Sequence, residues 1–305
     1  MSTGGPALTT ATPPTPTSTV GPFLLAKLHA LDTRLGSVAP RVLDAGDDAE
    51  AVHDLRVALR RTRTVLEVGR PVLGRFHADE VRRALRDVMR ATGALRDDEV
   101  LLELVASVAT DQVRAASMQA WLDVRRARER RLRGLLRRSL RSGDLERGRH
   151  LLEALLAFRV NPDRDRRITK FARRAVERAR REVDRQRDAR PDDAEALHRL
   201  RIAYKRLRYT AETFADALPS DLAALAQPAA RLQRRLGDLH DVDVALGCVR
   251  RARVLDEATR AELLAALARE REVRLAAYVR ELGVAPAEAA AQAVGADSLR
   301  KISTR

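Results

Sequence analysis

Cysteine is almost absent. Cys248 is the only one in 305 residues, which excludes an intrachain disulfide and any cysteine-based zinc cluster. Aromatic residues make up only 3% of the chain, few for a protein that would stack nucleic-acid bases. No run approaches the roughly 18 consecutive apolar residues that a membrane span needs. Lysine is scarce as well: Lys27, Lys170, Lys205 and Lys301 are the whole set. Residues 1–20 hold neither Lys nor Arg and lack an apolar core of signal-peptide type, so the expected location is the cytoplasm. There is no glycine loop ending in Gly-Lys-Ser/Thr, no His-Glu-x-x-His pattern, and nothing that pairs a nucleophile with its base. No enzyme activity, metal or cofactor is expected.

What remains is helical in character. Hydrophobic residues form 45% of the chain and charged residues 33%, and Leu, Ala, Val, Arg and Glu dominate, which predicts an all-α protein. The formal charge is +15, carried almost entirely by arginine. That balance favours a polyanionic partner or an anionic surface. An arginine skew also arises from genomic base composition, so net charge alone does not choose the function.

The first 20 residues, rich in Thr, Pro, Ser, Gly and Ala, predict a disordered tail. Leu24, Leu25, Leu28, Leu31 and Leu35 then mark an amphipathic helix. Asp47 or Asp48 is a candidate N-cap for a second helix that reaches Gly69-Arg70-Pro71. A third helix, about residues 77–92, is expected to end at Gly93. Helices to about 109 and 142 follow, and a bridging helix over about 144–160 leads to Asn161-Pro162.

The later part repeats this order. A charged helix over about 165–189 precedes Pro191-Asp192-Asp193, a second capped helix, another helix ending at Gly237, and a last one reaching about Leu282. This gives a first half of about 21–142 and a second of about 164–282, with residues 283–305 as an Ala-rich tail.

Two sequence blocks recur in register. His53, Arg56, Arg60, Arg61 and Arg63 correspond to His198, Arg201, Lys205, Arg206 and Arg208 at a constant offset of 145 residues. Gly93, Leu95, Asp97, Glu99 and Val100 correspond to Gly237, Leu239, Asp241, Asp243 and Val244 at an offset of 144. Two blocks agreeing to within one residue predict an internal duplication.

On a helical wheel His53, Arg56, Arg60 and Arg63 fall within about 80° of one another, beside Leu55, Leu59 and Leu66. His198, Arg201, Lys205 and Arg208 lie in the same way beside Leu197, Leu200 and Tyr204. A merely solvated cationic face would more usually lie opposite the apolar stripe. At its edge, the cations are placed to line a groove, where guanidinium groups suit phosphate oxygens. The two motifs together would bring eight or more cations, enough for a polyanion. His53 and His198 are read as channel or support residues, whereas His29, His77, His150 and His240 do not recur and receive no role. Asp97, Asp98, Glu99, Asp238, Asp241 and Asp243 are expected to cap helices or pair with motif arginines rather than hold a metal.

These residues resemble the CHAD family, the conserved histidine α-helical domain. The resemblance rests on His53-Asp54-Leu55-Arg56 with Arg60, Arg61 and Arg63, and on His198-Arg199-Leu200-Arg201 with Lys205-Arg206-Leu207-Arg208-Tyr209. The Leu95-Arg96-Asp97 and Leu236-Gly237-Asp238-Leu239-His240-Asp241 segments add to it, and it covers about residues 21–282. It implies two pseudo-symmetric helical bundles around a central basic pore, and non-enzymatic binding of inorganic polyphosphate. It further implies that Arg56, Arg60, Arg63, Arg201, Lys205 and Arg208 line that pore with His53 and His198 beside them. Arg61, Arg90, Arg206, Arg231 and Arg234 are further contact candidates. Association with polyphosphate or storage granules is a related expectation. The alternatives are binding of RNA or DNA, which the shortage of aromatics disfavours, and histidine phosphotransfer, which the excess of cations disfavours.

Overall fold

The computed structural model describes residues 19–44, 49–108, 116–157 and 166–302, with the side chains of residue 49 and of residues 284–302 left aside. The N-terminal tail, the Asp47/Asp48 cap and the Asn161-Pro162 break lie outside the described residues. Within them the protein is helical, and no strand forms beyond a single bridge between Thr19 and Arg167.

Helix α1 (Val20–Asp44) packs on α2 (Ala49–Leu73), which carries the first motif. Leu24, Leu28 and Leu35 of α1 and Leu55, Leu59 and Leu66 of α2 are fully buried, so the three-to-four-residue spacing read from the sequence does mark the packed faces. Gly74, at φ +89°, turns the chain into α3 (Arg75–Ala84), a conformation that costs a residue with a Cβ dearly. Helices α4 (Arg86–Val108), α5 (Ala116–Arg141) and α6 (Asp144–Ala157) follow. Leu95, Leu136, Leu145 and Leu152 complete this first core.

Helix α7 (Ile168–Gln186) packs on α8 (Ala194–Thr213), the second motif helix. Asp193 caps α8, its carboxylate accepting the Ala196 N–H at 2.8 Å, as the Pro191-Asp192-Asp193 signal predicted. Short α9 (Ser220–Ala223) leads to α10 (Ala226–Arg250), and α11 (Glu257–Ile302) closes the chain. Val176, Leu200, Leu207, Leu236 and Tyr278 form a core among α7, α8, α10 and α11. A further core joins distant parts of the sequence: Leu101 and Val105 of α4 and Trp121 of α5 meet Val242 and Val249 of α10 and Leu263 of α11. No described helix is long and apolar enough to cross a membrane.

Three expectations change. Gly93 and Gly237 do not end helices: α4 and α10 run straight through them. Their use is close approach, because a Cβ at Gly93 would sit 3.0 Å from Nη1 of Arg56 and one at Gly237 would sit 3.6 Å from Nε of Arg201. Asp97, Asp98, Glu99, Asp238, Asp241 and Asp243 are therefore interior helix residues, not caps. Finally, α11 continues to Ile302, past the break expected near Leu282, in keeping with the high helix propensity of alanine.

Candidate polyanion-binding site

Helices α2 and α8 bury the residues just before their cations: Leu55 and Leu59 precede Arg56 and Arg60, and Leu200 and Leu207 precede Arg201 and Arg208. The cations are thereby held at the rim of the core, where the two helices meet. The Arg60 guanidinium lies 4.8 Å from the centre of the Tyr209 ring, which Arg208 approaches at 5.3 Å. Such stacking fixes the planar group while leaving N–H donors at its edge. Arg206 crosses from α8 to Glu67 of α2 at 2.8 Å.

The electrostatics show which cations converge. Lys205 is pushed down to about 8, first by burial and then by Arg60, Arg201, Arg56 and Arg63. Four arginines drawn from both motif helices thus act on one ammonium group. Burial also lowers Arg60, with Arg56 and Arg208 adding repulsion and Tyr209 opposing it, and lowers Arg63, with Arg82, Arg86 and Arg90 adding to it and Glu67 opposing it.

Ion pairs would relieve this crowding, yet among the described residues Arg56, Arg60, Arg63, Arg201 and Lys205 make none. The Nε atoms of Arg60, Arg63 and Arg201 are buried without a hydrogen-bond partner. The Nε atoms of Arg70, Arg82, Arg125 and Arg260 are in the same state, so it is the crowding of cations without ion pairs that favours an anion here. Arg60, Arg63, Lys205, Arg206 and Tyr209 face a cavity of about 680 Å³ between α2, α7 and α8. Its lining holds ten Arg/Lys and two Glu.

At the α4/α10 side the character changes. Asp241 is pushed up to about 6, first by burial and then by Asp238 and Asp97, against the attraction of Arg201. His198 meets His240, with 3.3 Å between their Nδ1 atoms. Burial, then Arg201, lowers both imidazoles; Lys205 lowers His198 further. One neutral ring can donate to the other, and a second proton would be opposed by these cations.

The family model for the CHAD domain matches residues 28–250 of this chain. The chain belongs to the CHAD family. Its CHAD domain has the fold of two solved structures, both too distant in sequence to carry more than fold. The CHAD domain from the plant Ricinus communis superposes with a TM-score of 0.67 at 21% identity, covering 92% of this chain and 97% of the other. PptA from Streptomyces chartreusis gives a TM-score of 0.69 at 17% identity, covering 87% and 100%. Protein MT2285 of Mycobacterium tuberculosis is 32% identical over 215 residues, which is 64% of this chain and 39% of that protein. The chain therefore spans about two fifths of the length of this curated relative.

Within the CHAD domain the sequence-derived candidates separate into groups. Arg60, Arg63, Lys205 and Arg206 line the cavity, whereas Arg56 and Arg201 act on Lys205 without lining it. Arg208 is engaged by Glu212 at 2.6 Å and by Gln233 at 3.3 Å. Arg231 is held by Glu281 at 2.8 Å, Arg90 sits exposed beside Asp87, and Arg61 and Arg234 are exposed. His53 is exposed, unlike His198. The acidic block pairs outside the motifs: Asp98 with Arg125 and Arg128, Glu99 with Arg96 and Arg133, and Asp243 with Arg271. Sequence reasoning passed over His240, because Arg96 stands at the equivalent place in the first half.

Gly93→Ala offers a direct check on this geometry. It should hold or raise stability, since alanine gains about 1 kcal/mol over glycine within a helix. Its methyl group must displace the Arg56 guanidinium, so affinity for a polyanion should fall several-fold. Thermal unfolding and binding measured on the same sample would separate the two effects.

Proposed function

We propose that this CHAD domain binds inorganic polyphosphate without chemical turnover, in a basic channel formed where two duplicated halves bring their motif helices together. The observation that supports the reading most is that Arg56, Arg60, Arg63 and Arg201 all act on Lys205 while none of the five forms an ion pair among the described residues. A chain of phosphates supplies closely spaced acceptors to match them, and guanidinium groups hold paired phosphate oxygens well. Family membership supports the same ligand. Arg56, Arg60, Arg63, Arg201 and Lys205 carry the binding, Arg206 and Arg208 frame it, and His198 with His240 borders the channel. Such a protein would reside in the cytoplasm, with polyphosphate granules as its partner.

Competition distinguishes this ligand from nucleic acid. Single-strand binders place aromatic side chains for base stacking, whereas Tyr209 is 5% exposed and already faced by Arg60 and Arg208. Unlabelled RNA should displace labelled polyphosphate weakly at equal phosphate concentration. Displacement by RNA at lower concentration than by polyphosphate itself would overturn the assignment.

A further inference from the structure

The cavity has a wall that belongs to neither motif. Helix α7 contributes Arg174 and Arg178 to its lining, and Arg166, just before the helix, also faces it. Arg174 and Arg178 are one helical turn apart, about 6 Å along the axis, and therefore present two cations in a row on one face. Both are exposed, and neither makes an ion pair among the described residues. Their neighbours differ: Arg173 pairs with Glu177 at 3.0 Å, and Arg185 pairs with Glu182.

The two glutamates of the cavity do not compensate this row. Glu67 is taken by Arg82 and Arg206, and Glu182 by Arg185. Nor is the row a by-product of the repeat. At the offset of 145 residues, Arg174 and Arg178 correspond to His29 and Thr33 of α1, which do not line this cavity. The motif cations are paired between the halves, whereas these two occur in the second half alone.

We infer that Arg174 and Arg178 of α7 form a second anion-binding row that carries a polyphosphate chain onward from Arg60 and Lys205, so that long chains bind more tightly than short ones. The inference rests on the proposed function and adds a direction to the bound chain: it leaves the motif helices on the α7 side. On the opposite side the carboxylate of Asp241 lies near Arg201, with Asp238 and Asp97 close to it, which makes that exit less favourable for an anion. A ligand of three phosphates would be satisfied by the motif cations and gain little from α7.

The test uses the full chain, with Arg174→Ala/Arg178→Ala set against Arg60→Glu, titrated with tripolyphosphate and with polyphosphate of about a hundred units. Loss of two phosphate contacts should weaken long-chain binding about tenfold or more and make the slope of log K against log salt shallower by about 1.4–1.8. Tripolyphosphate affinity should change less than about twofold. Arg60→Glu should weaken both ligands. If the α7 variant matches the wild type on long chains, or loses equally on both lengths, the second row is refuted while the motif site stands. A wild-type protein that binds neither length would overturn the underlying function and this inference with it.

Discussion

Replacing Arg60 and Lys205 together by glutamate should lower affinity for long-chain polyphosphate by at least about a hundredfold. Each side chain removed is a charged donor worth about 1.5–3 kcal/mol to a charged acceptor, and each glutamate adds repulsion. The two residues come from different motif helices and border one cavity, so the double change strikes the meeting point of both. Helical content should be unchanged, because neither side chain has a carboxylate partner to lose among the described residues. The new carboxylates would face Arg56, Arg63 and Arg201, an attraction that offsets part of the cost of burying them and of losing the Arg60 stack on Tyr209, so the variant should remain folded. Circular dichroism and binding, measured together, check both halves of this expectation. Wild-type affinity in a folded variant would show that the convergence is not the site.

The second large effect concerns stability and pH at a single residue. Lys205 is held near 8 in the folded protein against an ordinary 10.5, a difference of at most about 3 kcal/mol in disfavour of the charged form. Below pH 8 both folded and unfolded chains carry the proton, so the full penalty applies. Between pH 8 and 10.5 the unfolded chain binds more protons, and stability from this group rises with pH. Above 10.5 both forms are neutral and the penalty is gone. Lys205→Met should therefore be more stable than the wild type at pH 7, by about 1–3 kcal/mol, and the gap should close towards pH 11. Its polyphosphate affinity at pH 7 should fall at least about tenfold. Chemical denaturation at pH 7 and 11, with binding at pH 7, measures this exchange of stability for function. A destabilised Lys205→Met at pH 7 would show that the lysine is not under the repulsion described.

Much of this arrangement is legible in the sequence because the helical period is regular. Leu24, Leu28 and Leu35, and Leu55, Leu59 and Leu66, announce their buried faces by spacing alone, and Arg56, Arg60 and Arg63 then fall at the edge by simple rotation. Asp193 is readable as a cap because it follows a proline turn. Gly93 and Gly237 mislead for a physical reason. Glycine both ends helices and permits close approach, and only the position of Arg56 and Arg201 across the interface tells which use applies. The acidic block was misplaced along with them, since residues after a presumed helix end look like caps.

Other features depend on contacts far apart in the chain. His240 meets His198 across 42 residues, and nothing in its own neighbourhood signals a partner. The charge of α7 is plain from composition, but a run of arginines on a helix does not reveal which of them face a cavity and which are paired. Glu177 and Glu182 remove Arg173 and Arg185 from consideration only once their ion pairs are seen. Nor does the sequence show that Arg60 of the other motif helix lies over the ring of Tyr209.

In the proposed function, several cations from both motif helices, without ion pairs among the described residues, bind polyphosphate together. Equilibrium titration of the wild type with long-chain polyphosphate, at several salt concentrations from about 50 to 200 mM, tests it most directly, because each phosphate contact contributes about 0.7–0.9 to the slope of log K against log salt. Arg56, Arg60, Arg63, Arg201 and Lys205 acting together predict a slope of about −3.5 to −4.5, which the two α7 arginines would steepen to about −5 to −6 on long chains, and a clearly shallower one in Arg60→Glu/Lys205→Glu. Binding that is absent at the lowest salt, or that has a slope near zero, would contradict the account.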